Sequence, residues 1–407
     1  VKGKARQSAR GNAAREAKRK DFRRGSVPSL EKKHGDVNRS SVPPGEKRSA
    51  EKRPQKGVAA LTRLKEGLTG ERSLIGASYM DDPAMLRAYL EYYWPVSRAQ
   101  AERALFVAAK NGSASFRKVI DAGSGPGPVA AAFAGTGARE LSLVDQSRRA
   151  LELAVREIGT RCNSPVTVSV CEGNIASPVP DKIRLWGEAD CVSFGHSLNE
   201  VFSDDPDRIA KRADLLASWS SALSPDGVIL VIEPALLSTS RDLLAVRDLL
   251  VERGWSVVAP CPGRARLPCP ALAAGTQHTC HEDVIWQVPP SVSALAESLK
   301  VDKEFLKMTW FVFVPPRADG SPVSPLTPGQ SVCRVVSEAM LNKGGRLRRL
   351  ACDGSGRYPF SVAQDSPDAL RCSFADLRRG EYVRIENPER RENGIGIGPE
   401  TKLERLY

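Results

Sequence analysis

The chain has 407 residues, 41% of them hydrophobic and 27% charged, with 60 Lys+Arg against 48 Asp+Glu for a formal net charge of +12. That length can bury one large core or two smaller ones, and no apolar run approaches bilayer-spanning length, so a membrane span is not expected. Nine cysteines, an odd number in a long chain, argue against a disulfide framework.

Residues 1–57 hold 18 of the basic and 6 of the acidic side chains, which is the whole net charge of the chain. The stretch is rich in Gly, Ser, Pro and Ala and poor in large apolar residues, so it cannot bury enough surface to fold alone and is expected as a disordered basic arm. A cationic arm on a neutral body suits RNA phosphates. A merely solvated tail is the alternative, and the interspersed acids argue against a mitochondrial presequence.

Residues 58–112 read as a helical region. The spacing predicts a helix through Leu86–Trp94 closed by Pro95, then a second helix opened by Ser97 as its cap. Tyr89, Tyr92, Tyr93 and Trp94 are expected in the core rather than as a base-stacking platform. From 113 to 315 strands and helices alternate. Strands are expected at Lys118–Asp121, Glu140–Asp145, Val166–Cys171, Asp190–Phe194, Gly227–Glu233, Trp255–Ala259 and Thr309–Val314. Helices are expected at Ser147–Ile158, 205–223 and 239–253. This is the pattern of an α/β, doubly wound sheet. Residues 316–331 are a Pro/Gly/Ser-rich linker. Residues 332–407, with β-like runs at Arg346–Cys352 and Tyr382–Ile385, read as a small C-terminal β subdomain.

The loop Asp121-Ala-Gly123-Ser-Gly125-Pro-Gly127 follows the first strand and opens a helix. Glycines let a ligand approach the backbone, and the N–H groups at a helix start favour anionic groups. The spacing is not the G-x-G-x-x-G of dinucleotide binders. An acid before the glycines, with Asp145 closing the next strand, resembles class I S-adenosylmethionine-dependent methyltransferases. The resemblance implies that Asp145 accepts from the ribose hydroxyls of S-adenosylmethionine. It also implies that Asp121 and Gly123 line the methionine end, with Gly125 and Gly127 in the same loop, and that Asn174 lies beside the adenine. The Asn/Asp-Pro-Pro-Tyr/Phe motif of amino-group methyltransferases is absent. His196 and Glu200 stand after the fourth strand where a base could act, and a structural role for His196 is the competing reading.

The stretch 259–282 is cysteine-rich. Cys261 and Cys269 are each flanked by proline on both sides, which stiffens the backbone around each thiol, and Cys280-His281 follows. Soft thiolates at rigid, irregular spacing suit zinc or an iron–sulfur cluster, although the spacing matches no compact zinc knuckle. Cys162, Cys171, Cys191 and Cys372 read as small buried hydrophobes.

Several segments in order resemble a more specific family, the methyltransferase-like assembly factors of the small ribosomal subunit, known from mitochondria and with bacterial relatives. They are Tyr89–Pro95, Asp121–Gly127, Asp190–Glu200 with its Leu198-Asn-Glu, Val231-Ile-Glu233-Pro234, the two Pro-Cys-Pro units, Cys280-His281, and Arg334–Gly354 with its Cys352-Asp-Gly. The resemblance covers roughly residues 80–385. It implies a [4Fe–4S] cluster on Cys261, Cys269, Cys280 and Cys352, with Cys333 the rival fourth ligand and zinc the alternative metal. Gly263 stands where the family usually has His, and the cysteine spacings are wider. The implied partners are small-subunit rRNA and ribosomal proteins, with no membrane and a monomer when off the ribosome. The implied compartment is the mitochondrial matrix or a bacterial cytoplasm. The leading expectation is therefore an rRNA-binding assembly or translation factor. An active rRNA methyltransferase comes second and a zinc-stabilised small-molecule methyltransferase third. Lys343, Arg346, Arg348 and Arg349 are expected to supply a local basic cluster for RNA.

Overall fold

The computed structural model describes residues 55–74, 79–112, 116–162, 165–263, 265–317 and 332–407. The basic arm as far as residue 54 and the linker from 318 to 331 lie outside the described residues. The first element among the described residues is helix α1 (Gln55–Thr69). Helix α2 (Pro83–Ala88) then runs through one π turn at Tyr89–Tyr93 directly into α3 (Trp94–Lys110).

That continuity corrects the break expected at Pro95. Trp94 N–H donates to the Tyr89 carbonyl, five residues back. The widened turn therefore comes just before Pro95, which occupies the first turn of α3, the helical position where a missing N–H costs least. Ser97 is an interior residue of α3 and buried, not a cap. The aromatic set is core: Tyr89, Tyr92 and Trp94 are buried, and Trp94 Nε1 donates to the Pro126 carbonyl at 2.9 Å.

The first sheet uses β1 (Lys118–Ala122), β2 (Glu140–Asp145), β3 (Thr167–Glu172), β4 (Ala189–Gly195), β5 (Leu223–Pro234), β6 (Ser256–Ala259), β7 (Glu282–Ile285) and β8 (Phe305–Val314). Their order is β3-β2-β1-β4-β5-β8-β6, with β7 paired to β8. Strands β3, β2, β1, β4 and β5 are parallel neighbours, whereas β8 runs antiparallel to β5, β6 and β7. A parallel doubly wound sheet with one reversed strand slotted beside β5 is the class I methyltransferase arrangement that the glycine loop and Asp145 imply. Strand β7 is an addition to the expected seven. Its four residues, Glu-Asp-Val-Ile, carry no apolar alternation that would mark them.

Strand residues alternate between two cores, as a sheet covered on both faces requires. Val228, Leu230 and Ile232 face the side packed by α3, α4 (Pro128–Gly135) and α5 (Arg148–Arg161). Ile229 and Val231 face the side packed by α6 (Asp181–Trp186), α7 (Arg208–Trp219) and α8 (Leu237–Glu252). Helix α5 begins where expected: Ser147 caps it by accepting from Ala150 N–H at 3.2 Å. Two short helices, α9 (Pro270–Ala273) and α10 (Pro290–Ser298), flank β7. Among the described residues no helix is long and apolar enough to cross a membrane.

The C-terminal region forms a second eight-stranded sheet of β9 (Val332–Val335), β10 (Met340–Leu341), β11 (Arg346–Cys352), β12 (Arg357–Ala363), β13 (Tyr382–Glu386), β14 (Glu389–Arg391), β15 (Gly394–Gly396) and β16 (Lys402–Arg405). Helix α11 (Pro367–Arg371) completes it. This sheet has its own core around Phe360, Phe374 and Val383. It is fastened to the rest of the fold by polar contacts, one of them fully buried. Tyr382 Oη donates to the Pro260 carbonyl at 2.5 Å, and Tyr407 Oη donates to Asn111 Oδ1 at 2.7 Å.

Candidate functional site

The strand order reverses between β1 and β4, and a ligand crevice in a sheet of this kind opens beyond the strand C-termini at that point. A cavity of about 610 Å³ lies there, lined among others by Gly123, Gly125, Asp145, Asn174, His196 and Glu200. Gly123 and Gly125 of the glycine loop line it, and at Gly123 nothing larger fits. Gly123 has φ +72°, and a Cβ on it would stand 2.5 Å from Ser197 Cβ. Asp145 closes β2 and accepts from Gly125 N–H at 2.7 Å and Ser147 N–H at 2.8 Å. Burial raises its carboxyl above the usual range, and the backbone donors work against that rise.

Asp121 and Gly127 lie behind this surface, outside the cavity lining. Asp121 is buried, accepting from Ser193 Oγ at 2.7 Å and Ala130 N–H at 3.2 Å. It ties β1 to β4 and to the first turn of α4, and burial pushes its carboxyl up to about 7. Gly127 sits against α5, where a Cβ would meet Ala154 at 2.9 Å. Asn174 lines the cavity on the far side, with Oδ1 accepting from Ala176 N–H at 2.9 Å.

His196 is held in left-handed backbone at φ +62°. Its N–H donates to the Ile232 carbonyl at 2.7 Å and its Nε2 pairs with Gln100 Oε1 at 2.9 Å. Burial, and then Lys303, lower its pKa to about 4, so it is neutral at pH 7. Glu200 lines the same cavity, 3.5 Å from the Tyr79 hydroxyl. Between them Asn199, which also lines the cavity, anchors a buried network that sequence reasoning missed. Its N–H and Nδ2 donate to the two oxygens of Glu233, at 2.9 and 2.5 Å. Arg72 and Arg212 donate to its side-chain and main-chain oxygens at 2.7 and 2.9 Å. Glu233 is fully buried, and burial lifts its carboxyl to about 8.

The cysteine-rich stretch leaves the C-terminal end of β6, runs to β7 and meets the second sheet. Cys269 is buried; Cys261, Cys280 and Cys352 are half-buried. The four thiols influence one another electrostatically: Cys352 feels Cys261, Cys280 and Cys269, and Cys269 feels Cys280 and Cys261. Burial raises all three of Cys261, Cys269 and Cys352, with Cys269 up to about 12. The close approach of the two loops is direct: a Cβ on Gly354 would stand 2.4 Å from the Pro262 carbonyl oxygen. Cys333 is placed elsewhere. It is buried in the core of the second sheet, and its pKa is set by burial and a hydrogen bond with Tyr358. Strand register explains the difference. Cys352 is opposite Arg334 in the β9–β11 pair, so Cys333, one residue earlier on β9, points to the other face.

Two buried arginines complete this region. Arg334 Nη1 donates to Cys280 Sγ at 3.5 Å and Nη2 to Glu282 at 3.4 Å. Arg247, on α8, pairs with Asp248 at 2.5 Å and donates to the Leu267 carbonyl, and its charge opposes the burial-driven rise of the Cys261 thiol. Asp248 in turn receives Cys269 N–H at 2.9 Å. The Nε atoms of both Arg247 and Arg334 are buried and lack an acceptor. No three His, Cys, Asp or Glu side chains among the described residues stand close enough to grip an ion as they are, so ligation would have to draw the thiols together. Four neighbouring thiols, flanked by two buried cations with unfilled donors, nonetheless fit an anionic sulfur-ligated group in donor chemistry and in charge.

The basic cluster expected for RNA needs one correction. Lys343 and Arg348 are exposed, but Arg349 is buried and donates to the Phe374, Ser337 and Ala375 carbonyls. Arg346 is half-buried and donates to the Ser361 carbonyl at 3.2 Å. Alternation along β11 turns Arg349 inward.

The model of the family described as mitochondrial small ribosomal subunit Rsm22 matches residues 87–353, from the tyrosine-rich helix to the residue after Cys352. The chain belongs to the Rsm22 family. No curated protein matches it. Among solved structures it is similar to magnesium protoporphyrin IX methyltransferase from Synechocystis PCC 6803 with bound SAM, at 12% identity and TM-score 0.33, covering 65% of this chain and 100% of that one. It is also similar to a ribosomal protein L11 methylase from Lactobacillus delbrueckii subsp. bulgaricus, at 13% identity and TM-score 0.29, covering 52% and 76%. A third is the mitomycin 7-O-methyltransferase MmcR, at 20% identity and TM-score 0.33, covering 50% and 62%. In this Rsm22-family chain the fold class rests on its own strand order, and the family match spans both the glycine loop and all four candidate cysteines.

Proposed function

We propose that this chain is an assembly or translation factor of the small ribosomal subunit, binding small-subunit rRNA and ribosomal proteins. In this reading S-adenosylmethionine occupies the cavity beyond β1, β2 and β4, with Asp145 accepting from the ribose and Asn174 beside the adenine. Cys261, Cys269, Cys280 and Cys352 hold a [4Fe–4S] cluster, zinc being the alternative. The observation that carries the reading is membership of the Rsm22 family over residues 87–353. A bound cluster would supply a rigid tether of four thiolates between the cysteine-rich loop and the second sheet. The chain's own residues do the rest. Tyr382 and Tyr407 dock the sheet, Glu282 accepts from Arg103 at 2.7 Å on α3 and from Trp310 at 2.5 Å on β8, and the exposed face carries Lys343 and Arg348.

The compartment that goes with this reading is the mitochondrial matrix or a bacterial cytoplasm. The test is sedimentation. Full-length protein should co-migrate with small ribosomal subunits on a gradient and not with large ones. Removing residues 1–57 should flatten the dependence of log affinity for small-subunit rRNA on log salt, by roughly 0.7–0.9 in slope for each phosphate that is no longer neutralised. Co-migration with neither subunit would sink the proposal.

The second reading is methyl transfer to small-subunit rRNA. It is favoured by the lining of the cavity, which includes Tyr89, Tyr93 and neutral His196 as well as Asn174. Incorporation of labelled methyl into rRNA by wild type, abolished in His196→Ala, would establish it.

A further inference from the structure

Two arginines are buried where burial is costly. Arg247 is 1% exposed and Arg334 is 3% exposed. A buried guanidinium is tolerated when acceptors meet its in-plane N–H donors and a negative charge matches its own. Neither side chain is fully provided for. Both Nε atoms are enclosed without an acceptor. The carboxylate that Arg334 uses, Glu282, is shared with Arg103 at 2.7 Å, so two cations face one anion there. Asp248, the partner of Arg247, is shared with the Cys269 amide. A thiol also lies beside each guanidinium: Cys280 Sγ is 3.5 Å from Arg334 Nη1, and the charge of Arg247 opposes the burial-driven rise of the Cys261 thiol.

The two arginines also come from different parts of the fold. Arg247 lies on α8 against the first sheet and Arg334 on β9 of the second. Arg334 is the register partner of Cys352. The thiols therefore lie between one cation from each layer, which is the arrangement that neutralises a group whose charge is carried by sulfur.

We propose that Arg247 and Arg334 form the charge-balancing, hydrogen-bonding shell of a four-thiolate metal centre, their unfilled Nε–H donors being held for sulfur of the bound group. This rests on the reading of Cys261, Cys269, Cys280 and Cys352 as metal ligands. Neither arginine is a ligand. Each is a positioning residue that sets how tightly the centre is kept and, for an iron–sulfur cluster, how readily it accepts an electron. Removing a nearby cation and a hydrogen bond to sulfur makes reduction harder, and outer-shell loss weakens metal retention about 10–100-fold.

The experiment uses full-length protein purified without oxygen, as wild type, Arg247→Met, Arg334→Met, both Arg→Lys variants and Arg103→Met. Iron and zinc content, the rate of metal loss to a chelator, the reduction potential and the thermal melt are measured on each. The expected result is metal loss about 10–100-fold faster in the Met variants, with a more negative potential if the metal is iron. The Lys variants, which keep the charge but not the planar fork, should fall between. They carry the test alone if the Met variants do not fold. Arg103→Met removes a partner of the same Glu282 without touching a thiol and should leave retention and potential at wild-type values. Wild type that holds metal, with Arg variants equal to it in both readouts, overturns the inference and leaves the ligand reading standing. Equal metal loss in Arg103→Met and Arg334→Met overturns it too, since the Glu282 network alone would then explain the effect. Wild type that binds neither iron nor zinc overturns the ligand reading and the inference together.

Discussion

Asp145 Oδ2 accepts the Gly125 N–H at 2.7 Å, so the acid closing β2 holds the glycine loop that follows β1. The same carboxylate lines the cavity, which gives it two tasks: shaping the glycine loop and offering acceptors to a ribose. Asp145→Ala removes both. Affinity for S-adenosylmethionine should fall by roughly 1.5–3 kcal/mol, the range for hydrogen bonds to a charged group. Calorimetry reads this directly. A melt without ligand separates the contribution of the loop, and equal affinity in variant and wild type would show that the ribose lies elsewhere.

The thiol prediction separates two neighbours on the second sheet. Cys352 faces the Pro262 loop and Arg334; Cys333 is enclosed in the core of that sheet. Cys352→Ser should therefore abolish metal content and loosen the docking of residues 332–407, read by limited proteolysis. Cys333→Ser should keep the metal and lose stability instead. It places a hydroxyl in a largely apolar core with Tyr358 beside it as a partner, so the cost should lie toward the lower end of about 1–3 kcal/mol. If Cys333→Ser is the variant that loses metal, the register argument fails.

Period and punctuation made most of this fold legible in the sequence. Glu140–Asp145 was bounded correctly because Leu141 and Leu143 alternate with polar residues and turn residues flank the run; Arg346–Cys352 was also bounded correctly. The break expected at Pro95 did not occur, because the π turn at Tyr89–Tyr93 lets the helix pass a proline, and no sequence rule marks such a turn. Long-range polar partners were also hidden. Asn199 and Glu233 are 34 positions apart, and Arg103 and Glu282 are 179 apart. Their pairing depends on which strands become neighbours, which local pattern does not encode. The glycine loop and Asp145 were legible because one strand–loop–helix unit and the end of the next strand carry them. Arg247 and Arg334 were not, since an arginine in a helix or strand ordinarily reads as exposed.

Glu233 yields a pH prediction with a definite sign. Its carboxyl is raised from the ordinary 4.5 to about 8 by burial, ahead of the opposing Asn199 and Arg212 contacts. The folded state then binds that proton more tightly than the unfolded one. Stability falls as pH rises from about 4.5 to about 8 and is level above. Glu233→Gln cannot ionise and keeps an oxygen for the Asn199 N–H, so its melting temperature should decline less over pH 5–8 than that of wild type. His196, lowered to about 4, acts in the opposite direction below pH 6.5, but equally in both proteins, so it cancels in the comparison. Parallel melting curves for the two proteins would show that Glu233 does not titrate in this window.

Gly354 should be the residue on which the junction of the two sheets is most sensitive. Its φ is +91°, and a Cβ would stand 2.4 Å from the Pro262 carbonyl oxygen, a backbone atom that cannot swing aside. Gly354→Ala therefore meets two penalties: left-handed backbone strain of roughly 1–2 kcal/mol, and a clash relieved only by parting the 352–356 turn from the Cys261-Pro262 loop. Gly345 provides the control. It has φ +69° with nothing within 4 Å of its would-be Cβ, so Gly345→Ala meets the strain alone. Both variants should lose stability by similar backbone terms. Only Gly354→Ala should also lose metal and expose the second sheet to protease, because only there does the added methyl move Cys352 away from Cys261. Metal content and proteolysis of the two variants, measured side by side, decide it, and retention of metal by Gly354→Ala at the level of Gly345→Ala would mean that the packing of Gly354 on Pro262 does not position Cys352.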